Sequence, residues 1–209
     1  MKGRGKDCSS GGKRYRTVNM IVVFVILILL VGVTKLSLTE AKAKKAQKTN
    51  SEEIQVENKG CESMELNPLR TEEYPEITSA VDAYYKSLGE KASFVDSYDN
   101  VKVYTKLGKY RDTYVAFARY DMKIKDIYTK VPGLGTVYVR KGQDGQYQVS
   151  ADVEDGEVKS YIEGIVQHED VKALMNETQN AYQAAVQSDA LLKEALMDLK
   201  NAYEDSTGS

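Results

Sequence analysis

The stretch that decides the fold is Thr113–Lys125, with the sequence TYVAFARYDMKIK. One set of alternate positions is apolar throughout: Tyr114, Ala116, Ala118, Tyr120, Met122 and Ile124. The other set begins with Val115 and Phe117 and then becomes charged, at Arg119, Asp121, Lys123 and Lys125. A period of two residues is typical of a β-strand. The pattern predicts a long, curved strand that is covered on both sides only in its first half.

Shorter alternating segments flank this strand, near Val101, near Val137 and at Tyr147–Val149. The last of them follows Asp144-Gly145, a strong hairpin signal. Because the segments lie too close together for crossover helices, we predict a four-stranded antiparallel meander. Gly133-Leu134-Gly135, which follows a proline, is interpreted as a turn between two of the strands.

Helical periodicity appears before and after the predicted sheet. The apolar residues of Ile77–Leu88 recur on one face of a helix, with Pro75 suited to its first position and Gly89 to the residue beyond its end. A second stripe runs through Val158–Val166, and a longer, heptad-like seam runs from Val171 to Tyr203. The long helix could pair between chains, but we expect it to pack on its own sheet, because the open edges of a meander need cover.

The chain also carries an uncharged, largely apolar run at Thr17–Thr34. As a helix it would be about 27 Å long, close to the roughly 30 Å hydrocarbon core of a bilayer, so we predict a transmembrane helix. Ala41-Lys42-Ala43 would suit a cleaved signal peptide instead. The anchor is favoured because that pattern lies well beyond the apolar run, which is itself long for a signal peptide.

Cationic residues crowd the N-terminal boundary of this run, which favours a cytoplasmic N-terminus. The predicted organisation is a basic cytoplasmic head at 1–16, the transmembrane helix at 17–34, a polar tether at 35–70 and an extracytoplasmic α+β domain at 71–209. The predicted location is therefore the cell membrane, with a single span. Membrane lipid is the expected partner of the span and of the basic head.

Composition limits the functions that the chain can have. A net charge of −2 and a sequence pI of about 5.6 give no reason to expect nucleic-acid binding. Cys8 and Cys61 would lie on opposite sides of the membrane, so no intrachain disulfide is expected, and Cys61 is interpreted as a free thiol, with pairing between chains as the alternative. With one histidine, His168, a multi-histidine metal site is impossible. We predict no metal, no cofactor and no catalytic residue.

Two groups of residues are candidates for binding. Arg119, Tyr120 and Asp121 on the long strand could bind a polar ligand, although Arg119 and Asp121 are more simply explained as an ion pair on a wet sheet face. The chain has 15 tyrosines and no tryptophan. Among these tyrosines, the candidates for partner contact are Tyr104, Tyr110 and Tyr138, on expected outer faces or loops.

A helix, a four-stranded curved antiparallel sheet and packing helices, behind one membrane anchor, resemble the nuclear-transport-factor-2-like, or cystatin-like, α+β fold. The resemblance covers about residues 72–170 and is architectural. The chain is also similar to inner-membrane assembly factors of conjugative type IV secretion systems and to uncharacterised anchored proteins of Gram-positive bacteria. These resemblances imply a scaffold function but assign no functional residue.

The sequence therefore predicts a membrane-tethered, non-enzymatic extracytoplasmic interaction or scaffold domain, in a cell-envelope or conjugation-type assembly. Its expected protein partners are envelope proteins or a second copy of the chain. The alternative is a small-molecule-binding domain with a pocket between the helix and the curved sheet.

Overall fold

The structure, a computed structural model, describes residues 56–207, with side chains through residue 202. Its elements in chain order are β1 Arg70–Thr71, α1 Pro75–Lys91, β2 Val95–Leu107, β3 Thr113–Ile124, β4 Val131–Lys141, β5 Tyr147–Ser150, α2 Gly156–Val166, α3 Glu169–Ser188 and α4 Ala190–Thr207. The strands form one antiparallel sheet in the order β1-β2-β3-β4-β5. The predicted α+β class and antiparallel meander are confirmed.

The sheet has five strands rather than the predicted four. The additional strand, β1, is two residues long and pairs Arg70 with Thr105 and Thr71 with Tyr104 of β2. Two residues are too few to produce an alternating pattern, so the sequence gives no sign of them. The chain before β1 also packs on the sheet, with Cys61 buried at 5% exposure, so the end of the predicted 35–70 tether lies in the folded domain.

The two faces of β3 differ as predicted. Its continuous apolar face packs against Ile77, Val81 and Tyr85 of α1, in what we call the α1-side core. On the opposite face, Val115 and Phe117 pack against α2 and the beginning of α3, in what we call the α2-side core. The charged second half of that face has no such cover, so its side chains remain partly or fully exposed.

The interpretation of Gly133-Leu134-Gly135 as a turn is wrong, because these residues lie inside β4. The two glycines point towards the α1-side core, where a Cβ atom on Gly133 would overlap the ring of Tyr120 and one on Gly135 would overlap the hydroxyl of Tyr85. The glycines therefore provide space for aromatic rings, and the strand starts at Val131, earlier than the alternation near Val137 indicates.

Two helix predictions also need correction. Helix α1 begins at Pro75 as expected but continues past Gly89. Gly89 lies in the last turn of the helix, beside Tyr98 of β2. The predicted long C-terminal helix is two helices, because Asp189 Oδ1 accepts the N–H groups of Leu191 and Leu192 at 2.9 and 3.1 Å and so caps a new helix. Both helices contribute buried residues to their own domain, as expected.

Between residues 56 and 207, no helix combines the length and the apolar character needed to cross a bilayer. The predicted transmembrane helix at 17–34, the basic head at 1–16, Cys8 and the tether up to residue 55 all lie outside the described residues.

Candidate functional site

An open cleft of about 1180 Å³ lies at one end of the sheet, where the β2–β3 and β4–β5 hairpins turn. Side chains from three neighbouring strands form its floor: Thr113, Tyr138, Arg140, Gln148 and Ser150. They share one face, because residues directly opposite each other in the register point to the same side of a sheet. That face is the α2 side.

The cleft lies between the ends of the strands and the start of α2. Helix α2 starts at Gly156, after an irregular segment at 151–155 that forms the far rim of the cleft. Asp155 fixes this starting point, since its Oδ1 accepts the N–H groups of Glu157 and Val158 at 2.8 and 3.1 Å.

Opposite charges line the two sides of the cleft. Arg111 and Arg140 lie at the strand ends, and neither forms a salt bridge with another residue whose side chain the structure describes, 56–202. Lys141 is next to Arg140 in β4, but its side chain lies on the opposite face of the sheet with Tyr147. Arg140 Nε donates a hydrogen bond to Gln148 Oε1 at 3.1 Å, and Lys141 Nζ lies 5.6 Å from the centre of the Tyr147 ring. The far rim carries three exposed carboxylates, those of Asp152, Glu154 and Asp155.

Two of the three tyrosines predicted to contact a partner line this cleft. Tyr110 donates a hydrogen bond from its hydroxyl to Glu157 Oε2 at 3.3 Å, while Lys109 Nζ lies 5.4 Å from its ring centre. Tyr138 is half-buried, and this burial raises the pKa of its hydroxyl. Tyr104 lies apart from them, half-buried on β2 against the α2-side core. The cleft thus combines aromatic rings held in place with exposed charge.

The three predicted ligand-binding residues do not converge. Arg119 Nη1 donates to Glu177 Oε1 of α3 at 2.5 Å, and Asp121 accepts a hydrogen bond from Asn100 at 2.7 Å. Tyr120 points to the opposite face and is 3% exposed. Arg119 therefore pairs with a helix rather than with Asp121.

The space between α1 and the sheet is filled by aromatic rings. The ring centres of Tyr85, Tyr98 and Tyr120 lie 5.0 to 5.5 Å apart, and burial raises the pKa of all three hydroxyls. The small-molecule alternative placed a pocket in this space. The open cleft lies on the other face of the sheet.

Sequence reasoning missed a buried polar network at the edge of the α2-side core. The side chain of Lys106 is 0% exposed, and its Nζ donates to Asp170 Oδ2 at 2.8 Å and to the Asn67 carbonyl at 2.6 Å. Asp170 also accepts the N–H of Leu69 at 2.8 Å. Burial raises the pKa of Asp170, but the hydrogen bonds from Lys106 and Leu69 outweigh this effect and leave its pKa below the usual value.

The same network fixes the chain that precedes β1. Asn67 Nδ2 donates to the carbonyls of Cys61 and Leu107, both at 3.0 Å, and the Tyr161 hydroxyl donates to the same two carbonyls at 3.0 Å. Cys61 is a free, buried cysteine, and burial raises the pKa of its thiol, which disfavours the reactive thiolate. This network is therefore structural, and the cleft is the better candidate for function.

Among the side chains that the structure describes, those of residues 56–202, no group of three or more histidine, cysteine or carboxylate side chains is arranged to hold a metal ion. Comparison of the chain with protein-family models, curated proteins and solved structures finds no match.

Proposed function

We propose that this chain is a membrane-tethered, non-enzymatic interaction domain outside the cytoplasm, which binds an envelope protein through the cleft. The observation that carries the proposal is the position of the cleft relative to the start of the domain. Val56 lines the cleft, and its carbonyl accepts the N–H of Arg111 at 2.8 Å. The segment that would lead to the membrane therefore enters the domain beside the candidate binding surface.

The chemistry of the cleft suits a polypeptide partner. Tyrosine and arginine are enriched in protein interfaces and among the residues that dominate binding energy. Tyr110 and Tyr138 are partly buried, so less side-chain freedom remains to be lost on binding. The cationic and acidic sides of the cleft would orient a partner that carries both charges.

The length of the predicted tether sets where the partner should be. If the chain spans the bilayer at residues 17–34, the residues from 35 to 55 separate the membrane from the domain. Fully extended, this segment would reach at most about 75 Å, and a flexible chain of that length has a typical end-to-end distance of about 25 Å. The cleft would thus sample partners that are themselves in the membrane or close to it.

The test is in-cell crosslinking of the full-length protein in its native membrane, followed by mass spectrometry. We compare Tyr138→Ala and Arg140→Glu, in the cleft, with Tyr128→Ala, a 96% exposed tyrosine in the β3–β4 loop at the opposite end of the sheet. We expect both cleft variants to lose crosslinks that the Tyr128→Ala variant keeps. A version lacking residues 1–35 should lose them as well.

Two outcomes would overturn the proposal. One is a partner set that survives both cleft substitutions. The other is the absence of any partner when a known membrane complex in the same sample crosslinks efficiently. The second outcome would direct attention to ligand screens for the small-molecule alternative.

A further inference from the structure

We infer that the partner enters the cleft as an extended peptide segment that carries an acidic, an apolar and a basic side chain at every second position. The acidic side chain would lie against Arg111 and Arg140, and the apolar one on the ring of Tyr138. The basic one would reach the acidic rim, which we define as Asp152, Glu154 and Asp155. This inference rests on the proposed function and names the chemistry of its partner.

Both sides of the cleft carry charge that the described side chains do not neutralise. Arg111 and Arg140 form no salt bridge within residues 56–202, and neither does any carboxylate of the acidic rim. Glu157, just beyond the rim, differs because it pairs with Lys109 at 2.5 Å. Two sides of opposite charge with no ion pair between them are complementary to a ligand that carries both charges.

The side chain of Arg140 is positioned to bind a carboxylate. Its Nε donates to Gln148 Oε1 at 3.1 Å, and Gln148 is the residue directly opposite Arg140 in β5. Within residues 56–202, nothing else bonds to this guanidinium, so its two Nη atoms are available. A guanidinium can hold a carboxylate by two parallel hydrogen bonds. Arg111 lies at the same end of the cleft, since Thr113, two residues later, pairs with Arg140.

Tyr138 lies between the arginines and the acidic rim. It precedes Arg140 by two residues in β4 and is on the same face, and it pairs with Ser150, from which the chain continues into the rim. Burial raises the pKa of the Tyr138 hydroxyl, the Asp155 carboxylate raises it further and the Arg140 guanidinium lowers it, so both charges act on this one group. The half-buried ring between them suits an apolar side chain.

The spacing of an extended chain matches this order. Alternate side chains of such a chain point the same way, and each residue advances about 3.3 Å. Arg140 and Tyr138 are themselves alternate residues of a strand, so two alternate residues of a peptide can lie over them. One more step of two residues reaches the acidic rim.

The size of the cleft favours a peptide over a small molecule with both charges. Its volume of about 1180 Å³ exceeds the roughly 300 to 1,000 Å³ of typical small-molecule sites, and it is open to solvent. A single amino acid would leave most of this surface uncovered. Three successive contacts require a segment of five residues.

The first test measures peptide binding to the full-length protein in nanodiscs by fluorescence anisotropy. The probes are labelled peptides that contain Glu-Ser-Leu-Ser-Lys or the reverse, Lys-Ser-Leu-Ser-Glu, because a peptide can lie in either direction. We expect one of them to bind several-fold more tightly than Glu-Lys-Leu-Ser-Ser, which has the same composition but adjacent charges. Salt should weaken this binding. Equal affinity for all three peptides would overturn the inference.

Charge-reversal variants then test which side of the cleft binds which charge. Arg140→Glu should lower the affinity several-fold and shift the preference towards a peptide with lysine at both charged positions. Asp152→Lys/Glu154→Lys should shift it towards a peptide with glutamate at both. All three residues are exposed, so the fold should persist, as circular dichroism would verify.

Lys141→Glu is the matched control for Arg140→Glu. It makes the same change of charge at the next residue, but on the opposite face of the sheet beside Tyr147. This control should leave the peptide affinity unchanged. Equal losses for Arg140→Glu and Lys141→Glu would overturn the inference, because net charge alone would then explain the effect.

Two comparisons separate this inference from its alternatives. If the free dipeptide Glu-Lys displaces the labelled peptide as well as the unlabelled five-residue segment does, the ligand is a small molecule and the inference is wrong. If no peptide binds but Tyr138→Ala still abolishes the in-cell crosslinks, only the present inference fails. If the peptides bind as expected and the crosslinks survive both cleft substitutions, the proposed function fails and the peptide preference of the cleft stands.

Discussion

The two faces of one sheet are closed by different means. The α1-side core is held together by close packing: tyrosine rings fill the space between α1 and the sheet, and two glycines in β4 leave room for these rings. The α2-side core is smaller and ends in a network around the buried ammonium of Lys106. Added volume and high pH should therefore lower the free energy of unfolding mainly through the α1-side core. Loss of a charge and low pH should lower it mainly through the α2-side core.

The largest effect should come from Asp170→Asn. This change leaves the fully buried ammonium of Lys106 without its counter-charge, and breaking a buried ion pair costs about 3 to 5 kcal/mol. Urea unfolding of the full-length protein in detergent micelles, followed by circular dichroism, measures the loss. Lys106→Met should cost less, because Asp170 is 26% exposed and keeps some contact with water. Equal costs for the two variants would contradict this account of the network.

Alkali should act on the α1-side core next. Burial raises the pKa of Tyr85, Tyr98 and Tyr120 above the usual value of 10.0, so their contribution to stability is complete below pH 10 and is lost as the pH rises further. Each group contributes a slope of at most about 1.4 kcal/mol per pH unit. Unfolding free energies measured across this range should show a shallower slope for Tyr85→Phe/Tyr98→Phe than for the wild type. An unchanged slope would exclude these hydroxyls as its source.

Gly133→Ala should disturb the same core by volume alone. The added methyl group would overlap the ring of Tyr120, and overpacking a core typically costs about 1 to 3 kcal/mol. Gly164→Ala is the matched control, because a Cβ atom there meets nothing within 4 Å and alanine favours the helix. Thermal unfolding should rank the control at or above the wild type and Gly133→Ala below it. The reverse order would mean that the tyrosines repack freely.

Acid should act on the α2-side core. The folded pKa of Asp170 lies below the usual 3.8, so its contribution is present at neutral pH and is lost as the pH falls below that value. The slope from this one group is at most about 1.4 kcal/mol per pH unit. Acid titration of unfolding free energy should therefore be steeper for the wild type than for Asp170→Asn. Parallel curves would assign the acid response to other carboxylates.

The smallest effect should come from Arg119→Gln, on the uncovered half of the α2-side face. Its salt bridge to Glu177 is partly exposed, and such pairs are typically worth about 0.2 to 1 kcal/mol. A double-mutant cycle with Glu177→Gln measures the coupling, which should decrease at high salt. A coupling free energy as large as the effect of Asp170→Asn would mean that the covered and uncovered halves of the α2-side face do not differ in the strength of their ion pairs.

Local patterns were sufficient to predict most of the fold. Thr113–Lys125 predicted not only a strand but also the point at which its second face loses cover, and Asp144-Gly145 predicted the last hairpin, where Gly145 has a φ of 78°. Gly133 and Gly135 were misinterpreted because glycine has the same local signature in a turn and beneath an aromatic ring. Which of the two applies depends on Tyr85, which is distant in sequence.

The candidate site was only partly predictable, for the same reason. Tyr110 and Tyr138 could be proposed from expected exposure, but their meeting at one cleft depends on where α2 begins. Arg119 and Asp121 share a strand face, yet a helix and a neighbouring strand supply their partners. The burial of Lys106 left no local signal, because a lysine in an alternating strand has the pattern of an exposed residue until the chain before β1 covers it.

The attachment of the first described residues also has a mechanical consequence. The Val56 carbonyl accepts the Arg111 N–H, and the Asn58 N–H donates to the Lys109 carbonyl, both at 2.8 Å. Asn58 Nδ2 also donates to the carbonyls of Gly108 and Tyr110 at 3.0 and 2.8 Å, so the attachment of Val56 and Asn58 is made to a single hairpin. Tension transmitted along the chain from residue 55 would load these bonds before it reached the network around Lys106 or either core. These bonds would thus break first under load, and the edge of the cleft at Val56 would change shape while the sheet remained folded.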